Sequence, residues 1–213
     1  MLKFIRTAGV LGIALATSAC VGSNPNVQAD LDAQPGYAED VAATTIAPTE
    51  ISAAEFTAAG SSPYTITEIS VIVPDYLVVS EADVYVPKAD IVWREDPLGD
   101  RKLQVKSIMQ DALQKGTSGM NGRPVIMAVQ LKTFHALTEK ARETTGGKHN
   151  IEFDYVLLDA ETRTPIIEAK RIDASLRGYG GRKAYKAMRA GQTQKVRITD
   201  HVAKTIRDEL TKG

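Results

Sequence analysis

Apolar and polar positions alternate most clearly at 150–159, NIEFDYVLLD, where Ile151, Phe153, Tyr155 and Leu157 interleave with Glu152 and Asp154. That period of two predicts a strand with one buried and one wetter face. RPVIMAVQLKTF at 123–134 repeats the pattern, with Val125, Met127, Val129 and Leu131 set against Gln130 and Lys132. PIIEAKRIDASL at 165–176 follows the turn AETRT, so the three segments predict an antiparallel meander. Upstream, TITEISVIVP (65–74) has Ile and Val at strand spacing and stops at a proline. YLVVSE (76–81) predicts a short strand or a continuation, and ADIVWRED (89–96) another extended run. The spacing changes to that of a helix at 101–115, where Val105, Ile108, Met109, Ala112 and Leu113 share one face. Asp100 is placed to cap its start and Gly116 its end. A second helix is predicted at 193–211, with Ile198, Val202, Ile206 and Leu210 as its stripe. Strands, helix, three strands, helix: the fold expected is α+β, an antiparallel sheet with two helices packed on one face.

The N-terminal part follows different rules. Lys3 and Arg6 precede the short apolar run AGVLGIALA (8–16), and small residues follow. This is the layout of a signal peptide over 1–19, and the run falls well short of the ~20 residues of a membrane-spanning helix. TSAC then ends on Cys20, the only cysteine of the chain, which can form no internal disulfide. The motif resembles the bacterial lipobox, although Thr17 stands where Leu or Val is usual. Cys20 is therefore the expected lipidation site, with cleavage before it and acyl chains holding the mature N-terminus in a membrane. Residues 20–62 are rich in Ala, Ser, Thr, Gly, Pro and acids, and predict a flexible acidic tether with a short helix near AEDVAA. The domain proper is expected at 63–213.

Formal net charge is zero, but the charges are segregated. No Lys or Arg occurs between Arg6 and Lys88, whereas twelve basic residues face four acids from Lys170 to Gly213. The basic end can meet a polyanion or simply solvate a helix. Arg182, Lys183, Lys186 and Arg189 are the candidate contacts to an anionic lipid surface. The glycines of LRGYGGRKAYK (176–186) lack the spacing of a phosphate-binding loop and predict a flexible strand-to-helix connection. Trp93, the one tryptophan, and Arg94 are candidate partner contacts; alternation places Trp93 with Ile91 on one face, which favours a core position. Arg94, Asp96, Asp100 and Arg101 are expected to bridge one another and lock the strand-to-helix turn. The three histidines are His135, His149 and His201. No HExxH or comparable ligand spacing occurs, no catalytic triad stands out, and no cofactor or metal is expected.

ADIVWREDPLGDRKLQV, KTFHALTEKARETTGGKHNIEFDYVLLDAETRTP and GQTQKVRITDHVAKTI resemble an uncharacterised family of alphaproteobacterial lipoproteins that carries a domain of unknown function. The resemblance covers most of 63–211 and implies neither an activity nor catalytic residues. The order of elements is similar, at the level of pattern, to auxiliary lipoproteins of ABC-type lipid transporters. Together these readings predict a non-enzymatic lipoprotein of the cell envelope, facing the periplasm, with the outer membrane favoured. It would bind a partner protein or lipid in envelope transport or maintenance, and no nucleic acid. The alternative is a periplasmic metal-dependent hydrolase built on His135, Glu139 and His149.

Overall fold

A computed structural model describes residues 62–212. The leader at 1–19, Cys20, the AEDVAA helix and all but the last residue of the 20–62 tether lie outside the described residues.

The strands are β1 (Tyr64–Ile72), β2 (Ile91–Val92), β3 (Arg123–His135), β4 (Gly147–Asp159), β5 (Pro165–Asp173) and β6 (Leu176–Gly178). The helices are α1 (Arg101–Thr117), α2 (Glu139–Glu143), α3 (Gly181–Arg189) and α4 (Gln194–Thr211). The sheet runs β1-β3-β4-β5, with β2 added to β3 and β6 to β4. This is the α+β architecture that the periodicity predicts. β3, β4 and β5 form the antiparallel meander. β1 and β2, however, pair with β3 in parallel. The chain must cross from β1 to β3, and α1 makes that crossover, which a parallel pairing requires. The YLVVSE segment contributes only an isolated bridge, Val79 to Ile91, and of ADIVWRED only Ile91 and Val92 pair as strand.

α1 and α4 lie side by side and bury their stripes in one core with the sheet. Val105, Ile108, Met109, Ala112 and Leu113 of α1 meet Ile198, Val202, Ile206 and Leu210 of α4 there. Val125, Met127, Val129 and Leu131 of β3, and Ile151, Phe153, Tyr155 and Leu157 of β4, supply the sheet side. Gln130, Lys132, Glu152 and Asp154 take the other face, where Asp154 joins Lys132 (3.3 Å) to Arg171 (2.8 Å) across three strands.

Asp100 caps α1 as expected, accepting from the Leu103 amide at 3.1 Å. Gly116 does not end the helix: α1 continues to Thr117 and Ser118 is its C-cap. The glycine serves packing instead. A Cβ there would lie 2.4 Å from the Ala203 carbonyl oxygen of α4. At 176–186 the expected flexible connection is replaced by β6 and α3. Only Ala184 of α3 is buried, and its short apolar stripe of Ala184, Ala187 and Met188 is outnumbered by four cations in the same nine residues.

Candidate functional site

Three groups of polar residues flank the core, and the structure gives each a different character. The first is built around β2 and the start of α1. Trp93 is fully buried. Its ring meets Phe134 edge-on at 5.8 Å, and its indole N–H donates to Asp96 Oδ2 at 2.8 Å. Trp93 is thus core, and its burial withdraws it from the partner contact considered from sequence. Arg94 and Arg101 do not bridge to Asp96 or Asp100; both reach back to Glu81. Arg101 donates to Glu81 at 2.6 Å, and Arg94 pairs with Glu81 and, at 2.5 Å, with Glu139. Arg101 also donates to the carbonyls of Asp96 and Pro97. Lys195 donates to both oxygens of Asp96, and Glu95 accepts from the Gln194 and Lys195 amides at the start of α4. The Arg101 guanidinium beside Glu81 holds that carboxyl below its usual range. Arg94, Arg101 and Lys195 each pair with a carboxylate and Glu95 with two backbone amides, so the group acts as a clamp tying the 73–100 loop to α1, α2 and α4. The same loop exposes Tyr76, Val78, Tyr85 and Val86.

The second group contains the histidines. His135 ends β3 and pairs in register with Asn150. His149, on β4, is completely buried. Its Nδ1 accepts from the Leu137 amide at 3.3 Å, which leaves the proton of the neutral ring on Nε2. Nε2 has no hydrogen-bond partner among the described residues. Burial, reinforced by the positive charge of Arg197, lowers the His149 pKa to about 4. Glu139 is committed to Arg94. Among the described residues, no three His, Cys, Asp or Glu side chains gather as a metal site would need. The geometry gives the His135, Glu139 and His149 alternative no support: one ring is sealed in the interior and the carboxylate is neutralised.

The third group is α3 and what lies at its foot. Arg182, Lys183, Lys186 and Arg189 are all exposed. Arg182, Lys186 and Arg189 follow at i, i+4 and i+7, so they form one stripe along the helix. Tyr185 (51% exposed) and Met188 (36%) border it. Tyr179 is held between two cations, with Lys183 Nζ 4.0 Å and the Arg197 guanidinium carbon 3.6 Å from its ring centre. At the base of α3 an open groove of about 700 Å³ is lined by Lys148, Arg177 and Lys183, with the backbone of Gly180. The sequence reading reached the α3 cations through charge alone. It missed Lys148 and Arg177, which sit in unremarkable β-strand sequence and join the patch only through β4–β6 pairing.

Solved structures matched the chain at low identity and low TM-score. A candidate lipoprotein of Caulobacter crescentus CB15 is 18% identical over 50% of this chain and 80% of its own, with a TM-score of 0.32. The PelC dodecamer of Paraburkholderia phytofirmans gives 13% identity over 70% of this chain and 92% of its subunit, with a TM-score of 0.32. A DUF330 protein of Xanthomonas campestris gives 8% over 71% and 83%, with a TM-score of 0.36. No curated protein matches the chain. One family model matches residues 64–213, which takes in every strand and helix described above, and the chain belongs to that family of unknown function, DUF6778.

Proposed function

We propose that this protein is a non-enzymatic lipoprotein of the bacterial envelope, anchored through Cys20 and facing the periplasm, whose domain engages anionic lipid through α3. The outer membrane is the favoured location. The observation that carries the reading is the α3 surface, a cationic stripe bordered by an exposed Tyr and Met. Cations beside amphipathic side chains suit the interface of a charged bilayer, where each Lys or Arg adds about 1 kcal/mol. Acyl chains at Cys20 would supply the affinity, and α3 the orientation and headgroup preference. The exposed apolar side chains of the 73–100 loop support a second contact, to an envelope protein partner.

Two measurements test this. The mature N-terminus should carry acyl chains by mass, and Cys20→Ser should release the protein from membranes. An unacylated N-terminus removes the anchor from the proposal. Separately, the unacylated Cys20→Ser chain should bind vesicles rich in phosphatidylglycerol, weaken as salt rises, and bind phosphatidylcholine vesicles poorly. Replacing Arg182, Lys186 and Arg189 together by Gln should cost on the order of 3 kcal/mol of that binding. Equal binding to both vesicle types, or insensitivity to salt, would sink the α3 reading.

A further inference from the structure

We infer that the groove at the base of α3 is a binding site for a single phosphate group, held by Lys148, Arg177 and Lys183. The inference deepens the lipid-surface reading and rests on it for its setting, but its own support is separate. Lys148 and Arg177 stand directly opposite each other in the β4–β6 pairing. Cross-strand partners carry their side chains on the same side of the sheet, about 5 Å apart at Cβ, and like charges so placed repel. Lys183 reaches the same groove from α3. Three cations thus converge on one open volume from three different elements.

Little nearby relieves that repulsion. Lys148 has Asp173 at 4.0 Å, both well exposed. Among the described residues, Arg177 and Lys183 form no ion pair. Among the described residues, Lys183 has only the Tyr179 ring beneath it and no carboxylate lines the groove. An anion placed between Lys148, Arg177 and Lys183 would turn a mutual repulsion into three charge-assisted contacts.

The backbone comes close at the foot of the groove. Gly180 lines the groove and packs its backbone against Gly146; a Cβ on Gly180 would fall 2.0 Å from the Gly146 nitrogen. That contact brings β4 and the start of α3 together at the foot of the groove. No side chain caps the α3 N-terminus, whose backbone N–H groups carry partial positive charge of the sign that supports the cations. An arginine fork matches two oxygens of a phosphate, and lysines serve as point charges. A phosphate ester is therefore the ligand chemistry, whether it belongs to a lipid headgroup or to a soluble phosphate.

The test uses the full acylated chain in neutral detergent. Calorimetric titrations are run with inorganic phosphate, glycerol phosphate, a short-chain phosphatidylglycerol and, as phosphate-free control, a short-chain diacylglycerol. Saturable binding of the phosphatidylglycerol with weak inorganic phosphate binding supports the site with a lipid as source. Comparable binding of inorganic phosphate or glycerol phosphate supports the site with a soluble phosphate as source. Arg177→Gln and Lys148→Gln should each weaken binding about tenfold or more, as expected for a lost charge-assisted contact. Lys183→Arg should retain it. The variants' thermal melts check folding. Replacing Arg182, Lys186 and Arg189 by Gln should weaken vesicle binding while leaving the soluble titration intact, so the two readings can fail independently. Absence of binding to every phosphate probe, equal binding of the phosphate-free diacylglycerol, or binding unchanged in folded Arg177→Gln and Lys148→Gln would overturn the inference.

Discussion

Gly116→Ala sets two known effects against each other inside one helix. Alanine is favoured over glycine in a helix interior by about 1 kcal/mol, and α1 continues through Gly116. By propensity alone the change should stabilise. The packing opposes it. The new Cβ would lie 2.4 Å from the Ala203 carbonyl oxygen, 2.5 Å from Ile206 Cγ2 and 2.9 Å from Ala203 Cα. Carbon contacts are comfortable near 3.5–4.0 Å, so α4 must retreat by about 1 Å. Two of the three obstructing atoms are backbone and have no rotamer to escape into. Overpacking of this kind costs about 1–3 kcal/mol, and a backbone clash belongs at or above the upper end. The net expectation is a loss of about 2 kcal/mol, or about 4–8 °C in Tm for a domain of this size. Thermal melts followed by far-UV circular dichroism measure it. Gly119→Ala is the comparison. Gly119 has φ +70° and no atom within 4 Å of a would-be Cβ, so it carries only the backbone cost of about 1–2 kcal/mol. A Gly116→Ala protein that melts higher than the parent would refute the helix–helix contact.

Three further outcomes follow from the same structure. His149 is neutral in the fold, with its pKa lowered from 6.5 to about 4, so the unfolded chain binds the proton first and stability rises with pH between those values. The contribution is complete above about 6.5 and drains as pH falls toward 4; roughly 2 kcal/mol should go between pH 7 and 5. Urea titrations across that range check it, and a His149→Leu profile as steep as the parent's would remove His149 as the cause. Glu95→Ala removes the acceptor for the Gln194 and Lys195 amides but leaves Thr193 bonded to the Val196 amide; the expected loss is about 1–2 kcal/mol, and an unchanged denaturation midpoint would contradict the capping role. Trp93 is the only tryptophan and is fully buried. Its emission should resist acrylamide, ignore added vesicles and shift to the red only on unfolding, whereas a vesicle-induced shift would show the ring to be accessible.

The strands at 123–135 and 147–159 and the stripe of α4 were legible in the sequence because their signal is local. A period of two or of 3.6 is written into adjacent residues, and burial of one face follows wherever that face is placed. The same locality made Asp100 readable as a cap, since the amide it accepts from is three residues away. The cationic character of α3 was legible too, as charge, but not its helical form, because its apolar positions Ala184, Ala187 and Met188 span barely one turn and only Ala184 is buried.

What the tertiary structure decided depends on contacts between residues far apart in the chain. β1 and β2 lie parallel to β3 because α1 folds back between them, a choice that no strand's own pattern contains. Gly116 reads locally as a helix end; only the approach of α4, some ninety residues later, makes it a packing site. Arg101 finds Glu81 rather than its nearest acids, and His149 is sealed beneath Leu137 and Gly178 instead of facing a ligand. Lys148 and Arg177 become a pair only when β6 closes on β4. Sequence determines which residues are apolar or charged and how each segment prefers to fold. Which charges meet is settled by the sheet register and helix packing, because electrostatic interactions fall with distance in space and take no account of distance along the chain.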